Sequence, residues 1–373
     1  MKTGSNKLLQ IVSLLLILLF IFSDADAQML KDASTVRLLK KGVSFMYNFQ
    51  FSEAKEISAE ISKLYPDHPA VKLFNSDITY WENYPMLPTA AAGVSFEKNL
   101  RSCIEICEKK ESGETDVEYL LIDLCSRGLL LLFLADNGLN LEVFPLALST
   151  YQYIRHSFDY ISVYYDFDYF AGVFDYYREA YPEAYPVYKP LAALFPKGDK
   201  TKGLNELSLA ADSSIFLRAE SLAVLEDLYL RFENDYEKAA KSNMKLHLLY
   251  PGNPEFRDEY LKSLLVVKKY DEADTMINRI DSLSENSFFR GQVDVLSGII
   301  EEKRNHNNNL AKPLYIRGIN RMKPYGKYAD EFSAYAYYGL SRIAGADRDK
   351  HLERKYRREA NNLADFKKIN FDQ

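Results

Sequence analysis

The chain has 373 residues, 47 Lys and Arg against 53 Asp and Glu, and a formal charge of -6. That mild acidity argues against a nucleic-acid partner, which a basic patch or stripe would announce. The chain is too long for one compact core, yet no Pro/Gly/Ser-rich linker marks where two globular domains would part. A fold that grows by adding units, each touching its neighbours, resolves this.

Residues 1–27 read as a secretory signal. Lys2 and Lys7 form a positive n-region, Leu8 to Phe22 is almost wholly apolar, and Ala25-Asp26-Ala27 is an A-x-A cleavage site. The other reading is an uncleaved anchor in the inner membrane, although the apolar run falls short of the ~18 residues that spanning takes. The expectation is a periplasmic or secreted protein with no membrane span once the signal is removed.

Helical periodicity dominates the rest, and no segment pairs strand alternation with hairpin turns for long enough to make a sheet. The expected fold is all-α. Its N-terminal region, residues 28–112, begins with a hairpin from about Met29 to Asp67, broken near Asn48 to Gln50 and at Pro66. In Phe51-Ser52-Glu53-Ala54 an aromatic stands three residues before an alanine, with Gly42 twelve and Phe45 nine residues before Ala54. Leu64-Tyr65-Pro66 stops the second helix, since proline removes a donor and disfavours αR before it. A third helix is predicted over Ala70 to Tyr84, then a connector from Pro85 to Gly93, with Ser95 as the next cap.

The central region, residues 113–215, follows. Phe96 to Lys110 and Val117 to Asn137 should pair antiparallel around a turn at 111–116, setting Cys103 and Cys125 about equally far from its middle. These two either bridge in an exported chain, or remain buried free thiols together with Cys107. Leu120 to Leu134 is apolar enough to suggest a membrane span, but Asp123 and Arg127 inside it argue for a helix buried among helices. Tyr151 to Pro190 holds eleven tyrosines. Phe167, Phe170, Phe174 and Tyr177 follow a helical stripe expected in the core, whereas Tyr165, Tyr169 and Tyr176 lie off it. Gly198 reads as a turn, Asp199 as an N-cap and Gly203 as a close helix contact; Leu204 and Asn205 stand where a phosphate loop needs Lys and Ser/Thr.

In the C-terminal region, residues 216–373, the aromatic-x-x-Ala pattern returns twice, as Tyr236 to Ala239 and Tyr270 to Ala273, 34 residues apart. Leu249-Tyr250-Pro251 repeats the earlier stop. Leu261 and Asp227 depart from the small residue expected at the helix crossing, and Glu285 from the proline. Gly298 takes the small position of the next unit, Ala311 the alanine position, and Gly339 opens another. The final helix, about Asp349 to Phe366, is polar and reads as a cap.

In these residues and this period the chain resembles the tetratricopeptide family, which implies an α-α superhelix of antiparallel helix pairs, here with an irregular tyrosine-rich middle. Gly172, the proline-bracketed aromatic segment and Gly198-Asp199-Lys200 to Gly203-Leu204 are similar, over about 40 residues, to the central part of the tetratricopeptide-type inclusion-body clearance family.

No catalytic pattern is present: the histidines are scattered, and no nucleophile motif occurs. No cofactor is implied. The expectation is a non-enzymatic, exported interaction scaffold that holds a peptide or protein partner, with Asn48, Arg257, Lys262 and Asp294 exposed on the concave face. The alternative is a glycan or small-ligand module that stacks its guest on Tyr165, Tyr169 and Tyr176.

Overall fold

The computed structural model describes residues 29–111, 116–193, 195–280, 286–364 and 366–372. The expected signal segment, residues 112–115 of the expected turn, and Glu285 lie outside them. Among the described residues the regular elements are helical: α1 (Ala33–Tyr47), α2 (Phe51–Leu64), α3 (Pro69–Glu82), α4 (Ala91–Glu111), α5 (Val117–Asp136), α6 (Asn140–Ser157), α7 (Asp166–Ala184), α8 (Lys200–Ser213), α9 (Arg218–Asp227), α10 (Tyr236–Leu249), α11 (Pro254–Val266), α12 (Tyr270–Ile277), α13 (Ser287–Lys303), α14 (Asn308–Met322), α15 (Asp330–Ala346) and α16 (Lys350–Leu363). Each helix packs on the next, and odd helices also touch one another, α1 on α3, α3 on α5, α7 on α9, α11 on α13 and α13 on α15. This is an α-α superhelix with odd helices inside and even ones outside. No helix among the described residues is long and apolar enough to cross a membrane.

Local chemistry starts and stops these helices. Asp32, Asp116, Asp199, Asp235, Asn253, Asn286, Asn307 and Asp349 accept first-turn N–H groups as N-caps. Four inner helices end in the same reverse turn, with a left-handed residue after the last turn: Phe49, Gly138, Lys268 and Arg348, at φ of 60°, 70°, 61° and 61°. Their N–H groups bond three residues back and those of the following residues five back, as in Phe49 to Met46 and Gln50 to Phe45. Glycine is the usual occupant, and only Gly138 is one. Lys268 is exposed, so Lys268→Gly should relieve the strain and stabilise by about 0.5–1 kcal/mol. A lower thermal midpoint by circular dichroism would contradict this account.

The repeat positions pack as the period implies. Ala54, Ala239, Ala273 and Ala311 are buried. A Cβ on Gly42 would meet Ile57 and Phe74 at 2.7 Å. Phe45 lies half-buried against this core, Pro66 and Pro251 occupy the turns after α2 and α10, and Tyr236 and Tyr270 begin α10 and α12. The Tyr315 ring is wedged between two helices, with Cβ positions of Gly298 and Gly339 only 2.7 and 2.3 Å from it. Gly339→Ala is therefore expected to cost about 1–3 kcal/mol by overpacking, and an unchanged unfolding midpoint would show that the ring can step aside.

In the middle, α5 is buried on nearly every side. Asp123 and Arg127 pair within it at 2.7 Å, and Arg127 also reaches Glu108 at 2.6 Å, so the charges in the apolar run are paired, with Asp123 Oδ1 alone of its carboxylate oxygens left without a hydrogen bond. Gly172 on α7 and Gly203 on α8 let the two backbones touch; a Cβ on either would lie within 2.8 Å of the other's carbonyl. Buried Asp166 accepts the N–H groups of Ile215, Phe216 and Leu217 and so fixes the turn between α8 and α9. Phe167 and Phe170 are buried, with Phe174 and Tyr177 half-buried.

Two boundaries differ from expectation. α4 starts at Ala91, so Ser95 lies inside it; Ala90 to Ala92 favour helix before the cap residue is reached. The last helix ends at Leu363, and the tail turns back, with Asp372 accepting from Arg342 and Arg357 and Phe371 packing on Tyr335. Only Ala360 of α16 is fully buried, as suits a polar cap.

The superhelix also closes on itself. Tyr47 packs on Tyr250 and Phe256, Trp81 on Phe256, and Tyr84 on Phe288, Phe289 and Tyr328. Asn48 accepts from the Gly252 N–H at 3.2 Å, Asn286 donates to the Tyr84 carbonyl at 3.0 Å, and Tyr328 donates to the Met86 carbonyl at 3.3 Å. The N-terminal hairpin thus abuts the starts of α11 and α13, some two hundred residues away in sequence.

Candidate functional site

Tyrosine hydroxyls answer carboxylates along the inner wall. Tyr47 donates to Glu220, Tyr80 to Asp136, Tyr84 to Glu255, Tyr177 to Asp227 and Tyr335 to Glu331. Burial pushes Asp136 up to about 6, Glu220 to about 7 and Glu255 to about 8. An acid that keeps its proton can be held inside a helical stack by one phenol, and this accounts for part of the chain's tyrosine content.

Beyond these pairs lies a dense ion-pair network. Lys262, 2 % exposed, reaches Glu259, Glu331 at 3.3 Å and Glu226 at 3.7 Å. Arg231 binds Asp227 at 2.5 Å and Glu331 at 3.5 Å. Burial works against the Lys262 charge, but Glu226, Glu259 and Glu331 keep its pKa well above the usual value. Burial likewise drives Glu226 up to about 8, whereas Glu331, against the same burial, is held down at about 2 by Lys262 and Arg231. The network is close to charge-balanced near neutral pH.

Asp227 and Arg231 also line an open cleft of about 710 Å³. One wall is the α7 face with Tyr176, Tyr177, Tyr181 and Tyr185; opposite stand Phe232 and Glu233, with Phe366 and Lys368 of the tail. Phe232 and Glu233 belong to a π-helical turn, Leu228–Glu233, that extends α9 and ends at left-handed Asn234. Such widened turns are frequent at functional sites because they re-aim side chains. Tyr181 and Tyr185 stand at 39 % and 43 % exposure with ring centroids 4.8 Å apart. A wider trough of about 930 Å³ between α10, α11 and α12 is the groove that stacked hairpins leave.

The structure scatters the residues expected to form a concave binding face. Lys262 and Asp294 are not exposed: Lys262 is the centre of the ion-pair network, and Asp294, 5 % exposed, is held by Arg317 and Arg321 at 2.6 and 2.7 Å. A polar residue on a first helix meets acids or bases of its own and of neighbouring units before it meets solvent. Asn48 is spent on the closure, and half-buried Arg257 contacts Asp258 at 2.7 Å. The three off-stripe tyrosines do not share an opening either. Tyr165 is 52 % exposed at the start of α7, Tyr169 is half-buried, and Tyr176 is fully buried with its hydroxyl on Glu233 at 2.5 Å.

Cys103 and Cys125 do not bridge. All three cysteines are free and buried. Equal distance from a turn sets height along a helix pair but not rotation about each axis, and Cys103 meets Ser126 at 3.2 Å instead. Among the described residues no three acidic, histidine or cysteine side chains gather as a metal site. Comparison of the chain with protein-family models and with curated proteins finds no match.

Proposed function

We propose that the chain is an exported, non-enzymatic scaffold that holds an extended segment of a partner protein in the cleft between α7, the π-helical turn and the C-terminal tail. One observation carries the reading: three stretches apart in sequence converge there to put exposed Tyr181 and Tyr185 and half-buried Tyr177 beside Glu183, Lys200, Asp227, Arg231, Glu233 and Lys368. Phenol rings give rigid contact area at low entropic cost, and alternating charges fix the register of a peptide. The signal-like segment at residues 1–27 supports export. The inner wall, by contrast, is occupied over α11 and α13 by the chain's own Trp81 and Tyr84.

A photo-crosslinking residue at Tyr185 tests this in the exported fraction, with one at exposed Leu64 as control. The expected result is a discrete protein adduct from position 185 only, weakened by Lys368→Glu. Identical adducts from both positions, or none, would overturn it.

A further inference from the structure

The closure leaves a further pocket, open to solvent and of about 360 Å³, whose walls are Phe49, Phe51, Trp81, Tyr84 and Phe289. Its polar groups come from Glu82, Asn253, Arg257 and Asn286 and from the backbone turn of Pro251 and Gly252. Three of the charges at or behind this pocket are already answered. Arg257 sits on buried Asp258, Glu82 is bound by Lys55 at 2.6 Å, and Glu255, behind Tyr84, accepts from the Tyr84 hydroxyl and the Gln292 amide. An ionic guest would therefore find no uncompensated partner.

Hydrogen-bonding capacity is left over. Asn253 is wholly buried in the pocket lining; its Oδ1 caps α11 by accepting from Glu255 and Phe256, and its Nδ2 has no partner. Gln292, 1 % exposed and one turn into α13, likewise has an unpartnered Oε1. A buried amide without a partner costs stability unless something else supplies the bond. Flat aromatic faces, donors and acceptors side by side, and compensated charge together suit a neutral ring that carries several hydroxyls.

We infer that this seam pocket is a carbohydrate subsite that takes one pyranose unit, stacked on Trp81 and hydrogen-bonded by Asn253, with Tyr84, itself stacked between Trp81 and Phe289, as the wall behind. It is separate from the α7 cleft and does not depend on the peptide reading. A proline-rich peptide also brings backbone carbonyls that would accept from this amide, so decaproline is the competitor that the test has to exclude.

Trp81 is the only tryptophan in the sequence, so the emission comes from one indole in the wall of this pocket. The test titrates the intact protein with methyl glucoside, galactoside, mannoside and N-acetylglucosaminide, their hexasaccharides, and a decaproline peptide. At least one sugar should give saturable change in emission, and Asn253→Asp, which keeps the N-cap but removes the amide donor, should weaken it about 10-fold with the thermal midpoint retained. Saturation-transfer NMR on the unmodified protein gives a second readout. No saturable sugar signal in either experiment up to about 50 mM, an Asn253→Asp affinity equal to the parent's, or binding of decaproline alone would each overturn the assignment.

Discussion

Lys262→Met is expected to lower the free energy of unfolding by about 3–5 kcal/mol at pH 8, because it leaves buried acids facing one another without their shared cation. Lys262 is 2 % exposed and touches three carboxylates, and methionine nearly restores the volume while supplying no charge. Glu226→Gln is the informative control. Its carboxyl is already protonated by burial near neutral pH, so the amide should change stability by only about 1 kcal/mol or less. The Lys262→Met deficit should shrink at pH 5, where the orphaned acids can take up protons. Chemical denaturation of both variants at both pH values checks this; a Lys262→Met protein as stable as its parent at pH 8 would remove the network from the stabilising core.

The second large effect is on pH dependence. Burial lifts Glu220 to about 7 and Glu226 and Glu255 to about 8, from 4.5 in an open chain. Between those limits the unfolded chain ionises while the folded one keeps its protons, so the folded state binds more protons and loses stability as pH rises. The loss begins near pH 4.5 and levels off above about 8. Glu331, held down at about 2, works in the opposite sense, and its contribution fades only as pH falls from about 4.5 toward 2. The thermal midpoint should therefore be higher at pH 5 than at pH 8, and Glu220→Gln with Glu255→Gln should flatten the slope. Both residues bond tyrosines of the N-terminal region, Tyr47 and Tyr84, which pack on Trp81, so Trp81 emission should change at alkaline pH before far-ultraviolet ellipticity does. A midpoint that rises from pH 5 to pH 8 would contradict the protonated state of these acids.

The fold class was legible because its signals are local. Aromatic-x-x-Ala spacing, Asp and Asn caps and Leu-Tyr-Pro stops each act within a few residues, and Asp199, Gly203 and the first half of the aromatic stripe, Phe167 and Phe170, behave as read, whereas Phe174 and Tyr177 stay half-buried. The left-handed turn after inner helices escaped notice because Phe49, Lys268 and Arg348 replace the glycine that would have flagged it. What each polar side chain faces was not legible. Tyr47 and Glu220, or Lys262 and Glu331, meet only through the curvature of the whole stack, and no spacing rule encodes that. The α7 cleft was foreshadowed only in part: the tyrosine-rich segment is one wall, but the π-helical turn and the tail carry no distinctive sequence.

Closure of the superhelix has a consequence for cooperativity. In an open solenoid each unit leans only on its neighbours, so terminal units fray and can be deleted with modest loss. Here the first hairpin to leave the ribosome is completed by Tyr250, Phe256 and Phe289, which are made far later. The start of the stack and its later, interior units brace each other. Deleting the first hairpin would strip aromatic cover from the starts of α11 and α13, and thus penalise units that it never touches along the sequence, so that the repeats stand or melt together.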